Sequence, residues 1–419
     1  MTRNPASFLG LALKMVDDTA PVSAYKTARL VRKHLRPGES TMTWLGQRSP
    51  YFVRLREEIA ALGGMFNAHL HLDRAATLDD RYLAHANVCI LANSHISLQT
   101  KHHLINAIHT GPAYDPEDLE RRVNDTIEIM VAANTVRADT MVDVTDDVVG
   151  LSALQKLKEI TDRRRAEIDV RIAAYSPLGF IDKEPGRWAI FEKGARIADF
   201  LGSLPEADDK VDYPSHIGFE EHCVRMLDLA KRLGLMLHVH TDQRNEASER
   251  GTERLIEMVR RHGGPVSTDG TPMVWAVHMI SPSTYDDDRH KRLVEGLLEC
   301  NIGVISCPSA ALGMRQLRPL YAPTYNSIPR VLELAAAGVH VRLGSDNVAD
   351  ICSPSTTADL VDEVFVLSAA IRFYQTSILA RLASGQKLSS DEREAVREHL
   401  AKNDQEIARV VHARIEASY

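Results

Sequence analysis

Apolar residues along this chain follow two alternating patterns, and the alternation predicts the fold. Short apolar runs such as Val170–Tyr175 and Met273–His278 are typical of strands buried on both faces. Between such runs, apolar residues recur at helical spacing, as Leu119, Val123 and Ile127 do within residues 117–134. The predicted strands are residues 65–70, 140–144, 170–175, 197–204, 235–240, 273–278, 302–307 and 339–344.

Each predicted strand except the first is followed promptly by a helical pattern. The predicted helices are residues 151–164, 187–194, 216–233, 252–262, 288–300, 328–337 and 360–373. Strands that alternate with helices form parallel sheets, and eight such units in 419 residues predict a closed (β/α)₈ TIM barrel. In that fold the chemistry gathers at the C-terminal ends of the strands.

The two ends of the chain look helical. Residues 24–34 and 51–62 have helical spacing, and the tail from residue 388 onwards is charged and helical. We therefore expect a helical N-terminal extension (1–60), the barrel (61–380) and a C-terminal helical tail (381–419). The segment from residue 73 to about 115 is a long connection, which in a compact domain is typical of a lid or a binding loop.

Composition excludes several classes of protein. A net charge of −7 gives no electrostatic footprint for nucleic acid or an anionic membrane, and no apolar run reaches membrane-spanning length. The five scattered cysteines indicate reduced thiols, and the apolar residues 8–13 are too short for a signal peptide. We expect a cytoplasmic protein that acts on a small molecule, with the N-terminal extension packed on the barrel or on a second subunit of a homo-oligomer.

Histidines and one aspartate fall at the predicted strand ends. His69 and His71 alternate on the first strand and so share a face. His238 and His240 do the same on the fifth strand, His278 ends the sixth, and Asp346 follows the eighth. Three imidazoles and a carboxylate suit a hydrolytic Zn²⁺ or Fe²⁺ site with one position open for water. The metal would lower the pKa of that water toward ~7. Asp346 would then accept the proton of the water, while His278 holds the water or polarises the substrate.

These motifs resemble the amidohydrolase superfamily, and within it the cytosine-deaminase-like branch. The resemblance runs from about residue 65 to about residue 354 and rests on five motifs. They are His69-Leu70-His71-Leu72-Asp73, Met141-Val142-Asp143-Val144-Thr145-Asp146, Val239-His240-Thr241-Asp242-Gln243, Val277-His278 and Gly344-Ser345-Asp346-Asn347.

The resemblance implies a ligand set. His69, His71, His240 and Asp346 would bind the metal, and His278 would be the catalytic histidine beside it. His238 is the rival ligand on the fifth strand. His240 is favoured because the family's ligand stands three residues before its acid/base residue. No lysine ends the fourth strand, where two-metal members carry a carboxylated one, so we expect one divalent ion. Zinc is favoured, with iron or manganese as alternatives.

The chain also departs from the cytosine-deaminase pattern. Gln243 stands where these deaminases carry a proton-shuttling glutamate, and an amide holds no transferable proton at neutral pH. The turn after Tyr175 lacks the glutamine that binds the pyrimidine edge. Both chain ends look helical, so we expect the family's small β-sandwich to be absent. Arg74 resembles the basic residue of the s-triazine branch that acts on N-isopropylammelide, although a salt bridge at the rim would explain it equally well.

The sequence therefore predicts a metal-dependent hydrolase that cleaves a carbon–nitrogen bond, other than a peptide bond, in a small nitrogen heterocycle or cyclic amide. Asp346, His278 and Gln243 are the predicted catalytic residues. The predicted substrate contacts are Arg74, Gln243, Asn347, Tyr175 and Trp275. Two alternatives stay open: an ammonia-releasing aminohydrolase that tolerates Gln243, and a metal-binding barrel without catalytic activity.

Overall fold

The computed structural model describes residues 49–93, 101, 104–314 and 327–416. The predicted helix at residues 24–34, and with it most of the predicted N-terminal extension, lies outside this range. The predicted helix at residues 51–62 is α1 (Pro50–Ala61), which Ser49 caps by accepting a hydrogen bond from the Phe52 amide.

Eight parallel strands form one sheet in sequence order, so the predicted barrel is confirmed. The strands are β1 (Met65–His71), β2 (Thr135–Asp143), β3 (Asp169–Tyr175), β4 (Phe200–Ser203), β5 (Leu237–Thr241), β6 (Val274–His278), β7 (Ile302–Ser306) and β8 (Val341–Leu343).

Helices connect the strands on the outside of the sheet. Those up to β5 are α2 (Ile105–Thr110), α3 (Pro116–Ala132), α4 (Ser152–Arg164), α5 (Pro185–Ala195) and α6 (Phe219–Leu233). Those after β5 are α7 (Gly251–His262), α8 (Asp287–Glu299), α9 (Pro308–Gly313), α10 (Val331–Ala337), α11 (Leu360–Ile371), α12 (Thr376–Ala383) and α13 (Ser390–Glu416). None of the described helices is long and apolar enough to cross a membrane.

The barrel closes between β1 and the residues that follow β8. Leu70 and Asp346 form a parallel bridge, and the Asp346 amide donates to the His69 carbonyl at 2.9 Å. Asn67 bonds to both the amide and the hydroxyl of Ser345, at 3.0 and 2.8 Å. The closure therefore brings Asp346 against the strand that carries His69 and His71.

A close backbone approach at this closure requires glycine. A Cβ atom at Gly344 would lie 2.7 Å from the His69 carbonyl oxygen and 2.8 Å from the His69 Cβ atom. Contacts this short with backbone and Cβ atoms leave no room for any other residue. Gly344 thus sets the distance between the first and last strands at the level of the predicted ligands.

Candidate metal centre

Three histidines from two strands converge at the C-terminal end of the barrel. One nitrogen each of His69, His71 and His240 lies within 4.8 Å of the other two, and all three side chains are buried. His69 and His71 point to the same side because they alternate on β1. His240 comes from the penultimate position of β5, on the far side of the barrel.

Asp346 and His278 complete the cluster. Asp346 Oδ1 lies 3.6 Å from His69 Nε2 and 3.4 Å from His71 Nε2. Asp346 Oδ2 lies 4.0 Å from His278 Nε2. Burial raises the pKa of Asp346, but the facing His278, His71 and His240 outweigh it and hold that pKa well below its usual range. Asp346 is therefore an anion among imidazoles.

His69 and His240 each have a ring nitrogen that is free to bind a metal. Both ring nitrogens of His69 are buried without a hydrogen-bond partner among the described residues. His240 Nδ1 donates to the Ser203 carbonyl at 2.9 Å, which leaves the Nε2 lone pair free. Burial, and then the neighbouring histidines, lower the pKa of His69 and of His240, so both imidazoles are neutral. Three imidazoles and one carboxylate match the donor set of a mononuclear zinc site.

His238, the rival ligand, lies deeper in the barrel. The centre of its ring lies 4.7 Å from that of Phe200 and 6.0 Å from that of His69. Neither of its ring nitrogens has a hydrogen-bond partner among the described residues. It does not belong to the group whose ligand atoms lie within 4.8 Å of one another. The geometry therefore favours His240 as the ligand from β5.

Arg74 contacts the cluster directly. Its Nη2 lies 2.7 Å from His71 Nδ1, and its Nη1 lies 3.8 Å from Asp143 Oδ2. A guanidinium only donates, so His71 Nδ1 is an acceptor here and the ring proton of His71 is on Nε2. Metal binding through Nε2 would move that proton to Nδ1, and Arg74 would then have to turn from His71 to Asp143.

Three further residues that were predicted to contact the substrate have different neighbours. Tyr175 ends β3, and its ring lies 5.4 Å from that of His71 and 5.2 Å from that of His240. Asn347 is buried and donates to Asp350 at 2.6 Å. Gln243 donates through Nε2 to Glu206 Oε2 at 3.0 Å.

Trp275 is the exception among the predicted substrate contacts. It occupies the second position of β6, whose other end carries His278, and it is fully buried. Its indole donates to the Pro272 carbonyl at 2.9 Å and lies 3.9 Å from the Arg342 guanidinium. Trp275 therefore fills the opposite end of the barrel, and we do not retain it as a substrate contact.

A buried network beside the centre was not predicted from the sequence. His109 bridges two carboxylates, with Nε2 3.0 Å from Asp143 and Nδ1 2.6 Å from Asp147. Tyr114 donates within the same network to Asp73 and Asp143, at 3.0 and 3.1 Å. The histidine-rich segment after β1 was a signal for this network, but no spacing identified His109 among its histidines.

A cavity of about 290 Å³ lies at the same end of the barrel. Its lining includes Thr145, which follows β2, and Ser176, which follows β3. Tyr213 and His216, from the segment between β4 and α6, form the other side. The cavity offers both polar and aromatic groups to a small ligand.

Comparison with known proteins gives relatives in sequence and in fold. No family model matches the chain. An uncharacterized protein of Haemophilus influenzae is 30% identical over 274 residues, which are 65% of this chain and 91% of that protein. A pterin deaminase of Rhizobium rhizogenes is 20% identical over 259 residues, which are 61% of this chain and only 54% of that enzyme.

Two solved structures share the barrel. The 5-methylcytosine deaminase of Klebsiella pneumoniae, liganded with 5-fluorocytosine, superposes with a TM-score of 0.61 at 23% identity, over 80% of this chain and 82% of that one. The N-isopropylammelide isopropylaminohydrolase of Burkholderia multivorans superposes with a TM-score of 0.55 at 20% identity, over the same shares of the two chains.

Proposed function

Because the chain belongs to the same family as the Haemophilus influenzae protein and has the amidohydrolase-superfamily fold, we propose that it is a metal-dependent hydrolase of carbon–nitrogen bonds. Its substrate in this proposal is a small nitrogen heterocycle or cyclic amide. The observation that carries the proposal is the convergence of His69, His71 and His240 beside Asp346 and His278.

The proposed roles follow from the positions of the side chains. His69, His71, His240 and Asp346 would hold one divalent ion, with zinc favoured by the nitrogen-rich donor set. When bound, the ion supplies Lewis acidity and lowers the pKa of a water molecule in the site. Asp346 accepts the proton that this water loses as its oxygen adds to the sp² carbon of the substrate.

The remaining steps belong to the protein side chains. His278, 4.0 Å from Asp346, stabilises the tetrahedral species by donating to its oxygen. Asp346 then returns the proton to the leaving nitrogen, so the carbon–nitrogen bond breaks and a neutral amine departs. The oxygen and both protons of the water thus end in the two products.

A second candidate is an aminohydrolase that releases ammonia. It is favoured by the similarity of the chain to two deaminases, the pterin deaminase and the 5-methylcytosine deaminase. Gln243 argues against a proton-shuttling role at that position, because an amide has no transferable proton at neutral pH. The two candidates differ in the nitrogen that is released: ammonia in the second, and an alkylamine or the nitrogen of an opened ring in the first.

The experiment is a substrate panel with the zinc-loaded protein. 5-Methylcytosine, pterin and N-isopropylammelide are incubated with it, and ammonia and isopropylamine are quantified. We expect release of one amine by the wild type and a loss of at least ~10²-fold in Asp346→Asn, which keeps the size of the side chain but cannot accept a proton. Near-normal turnover by Asp346→Asn would refute the scheme. A zinc-loaded wild type that hydrolyses no member of a broad panel would favour a non-catalytic barrel.

A further inference from the structure

The amide of Gln243 is held in one orientation. A glutamine side chain has one acceptor oxygen and two N–H donors, so its contacts decide which of them a ligand meets. Gln243 Nε2 donates to Glu206 Oε2 at 3.0 Å. Within the described part of the chain, no hydrogen bond to Gln243 Oε1 is found. The nitrogen therefore faces Glu206, and the oxygen is turned away from it.

Glu206 comes from a different strand connection. It lies three residues after β4, in the turn Pro205–Asp208, whereas Gln243 follows β5. Ser203, which accepts the hydrogen bond of His240, ends the same β4 strand. Glu206 Oε1 is buried and has no partner among the described residues. The carboxyl group of Glu206 takes no part in the proposed proton transfers.

The charged groups around Glu206 control its ionisation. Burial, and then the charge of Asp242, raise the pKa of Glu206. Arg244 and the hydrogen bond from Gln243 oppose that rise, and the resulting pKa is about 7. Glu206 is therefore an acceptor above neutral pH and gains a proton as the pH falls.

We propose that Glu206 is a positioning residue that sets the specificity of the site, because it fixes Gln243 with its amide oxygen available to accept a hydrogen bond from substrate. The preferred substrate then presents an N–H donor beside the bond that is cleaved, such as a lactam ring N–H or an exocyclic amino group. This inference rests on the proposed function, because it concerns the substrate of the same centre.

A pH dependence follows from the same contact. Protonated Glu206 can donate to Gln243 Oε1, so the amide is free to turn and to present its N–H groups instead. Selection for an N–H-bearing substrate should therefore weaken as the pH falls through about 7. Asp242 and Arg244 are the charged groups that set this midpoint, and Glu249 is a further carboxyl group that faces Glu206.

The test compares ligand pairs that differ by one N–H group. The zinc-loaded full chain is titrated calorimetrically with 5-methylcytosine, pterin and N-isopropylammelide, and with the ring-N-methylated analogue of each. We expect the wild type at pH 8 to bind at least one parent about 10-fold or more tightly than its methylated analogue, as expected for one lost hydrogen bond. In Glu206→Gln this ratio should fall toward 1, with KM changing more than kcat for any compound that is turned over.

Glu249→Gln is the matched control. Glu249 is a neighbouring carboxyl group that accepts from the Arg244 amide and from Ser281, but it makes no hydrogen bond to Gln243. This variant should keep the wild-type ratio at pH 8. Melting temperature and zinc content are measured for every variant to establish that it is folded and loaded. The wild-type ratio between pH 5.5 and 8.5 gives a second readout that requires no substitution.

Each outcome has one meaning. An unchanged ratio in folded Glu206→Gln, or a wild-type ratio that does not vary with pH, overturns the inference. A fall in kcat at constant KM and constant ratio would make Glu206 a proton donor instead of a positioning residue. If the wild type binds the N–H-bearing compounds selectively but turns none over, the proposed function is rejected and the inference is kept. If it turns compounds over without this selectivity, the inference is rejected and the proposed function is kept. Failure of every parent compound to bind overturns the inference.

Discussion

At the scale of single residues, the backbone of the centre is strained where the chemistry is placed. Asp242, His278 and Asp346 have φ angles of 59°, 76° and 58°, in the left-handed region that residues other than glycine rarely adopt. Such residues cost roughly 1–3 kcal/mol each and persist where the surrounding structure holds them. His278 and Asp346 are two of the predicted catalytic residues, so the strain coincides with side chains that we propose take part in the reaction.

Arg74 should oppose metal binding, because it donates to a nitrogen that must carry a proton when His71 binds an ion. Arg74→Gln places an amide oxygen there that can accept from Nδ1–H. We expect this variant to bind zinc on the order of 10-fold more tightly, the size of effect that partners of metal ligands produce. The measurement is competition for zinc against a chromogenic chelator at pH 7.5.

Arg74→Met is the control for that change, because it removes the donor without supplying an acceptor. Its zinc affinity should lie between those of the wild type and Arg74→Gln. Weaker zinc binding by Arg74→Gln than by the wild type would contradict this account of the Arg74–His71 contact.

At the scale of elements, a buried arginine helps to hold the segment after β1 to the barrel. Arg122, on α3, is fully buried and donates to the carbonyl groups of Asp73, Ala75 and Ala113. It also pairs with Asp118 on its own helix at 2.8 Å. This single side chain thus satisfies the backbone of a segment that has little regular structure.

Arg122→Met should therefore destabilise the protein by roughly 3–5 kcal/mol, because it leaves three buried carbonyl groups without their donor. Urea denaturation followed by circular dichroism measures the change. Arg121→Met is the matched control, since Arg121 binds the same Asp118 but is about half exposed, and it should change the stability by less than about 1 kcal/mol. Equal effects of the two substitutions would contradict the role given to Arg122.

The helix α2 is joined to the end of β2 by a histidine that titrates at high pH. Burial lowers the pKa of His109, but hydrogen bonds to Asp143 and Asp147 outweigh it and raise that pKa to about 9. A raised pKa contributes stability that is fully present below the ordinary value near 6.5 and is lost as the pH rises through about 9. The contribution is on the order of 3 kcal/mol.

We therefore expect the stability difference between the wild type and His109→Gln to be largest at pH 6 and to shrink as the pH approaches 10. Urea denaturation across this range measures it. His85→Gln, a substitution at an exposed position of the same segment, should follow the wild-type pH dependence. A difference that stays constant with pH would show that folding does not raise the pKa of His109.

The sequence predicts the regular elements well because each one buries a continuous apolar surface. All eight predicted strands are found, with ends that differ from the prediction by a few residues. The short helices α2, α9 and α12 were not predicted, because six to eight residues hold too few turns to show a helical period. The predicted C-terminal helix is α13.

The centre is predictable to the extent that it depends on strand ends. The barrel brings the ends of β1, β5, β6 and β8 to one place, so His69, His240, His278 and Asp346 could be associated from topology alone. Glu206 and His109 could not be associated with the centre in this way. Their contacts join side chains from separate loops, and the periodicity of apolar residues does not predict the conformation of a loop. Trp275 lies near the start of β6 and His278 ends that strand, so β6 places the two side chains at opposite ends of the barrel.

At the scale of the whole molecule, the centre joins the two edges of the sheet. His69 and His71 lie on β1, and Asp346 follows β8, so an ion bound to all three would link the first strand to the last. Binding to the folded state alone stabilises a protein by about 2.7 kcal/mol when the free ligand is at 100 times its Kd.

Chelation should therefore lower the melting temperature of the zinc-loaded protein by a few degrees. Thermal denaturation with and without a strong chelator measures the shift. His69→Ala should show no shift on chelation, because it lacks one of the three converging imidazoles. A wild type whose melting temperature does not respond to chelator or to added zinc would contradict a link across the barrel.

The most direct measurement of the central claim is an anomalous difference map from crystals of the wild-type protein grown with zinc, recorded on both sides of the zinc absorption edge. The account predicts one strong peak within coordination distance of His69, His71, His240 and Asp346, with His238 outside that distance. A map with no peak among these side chains, or with its peak on His238 instead of His240, would contradict it.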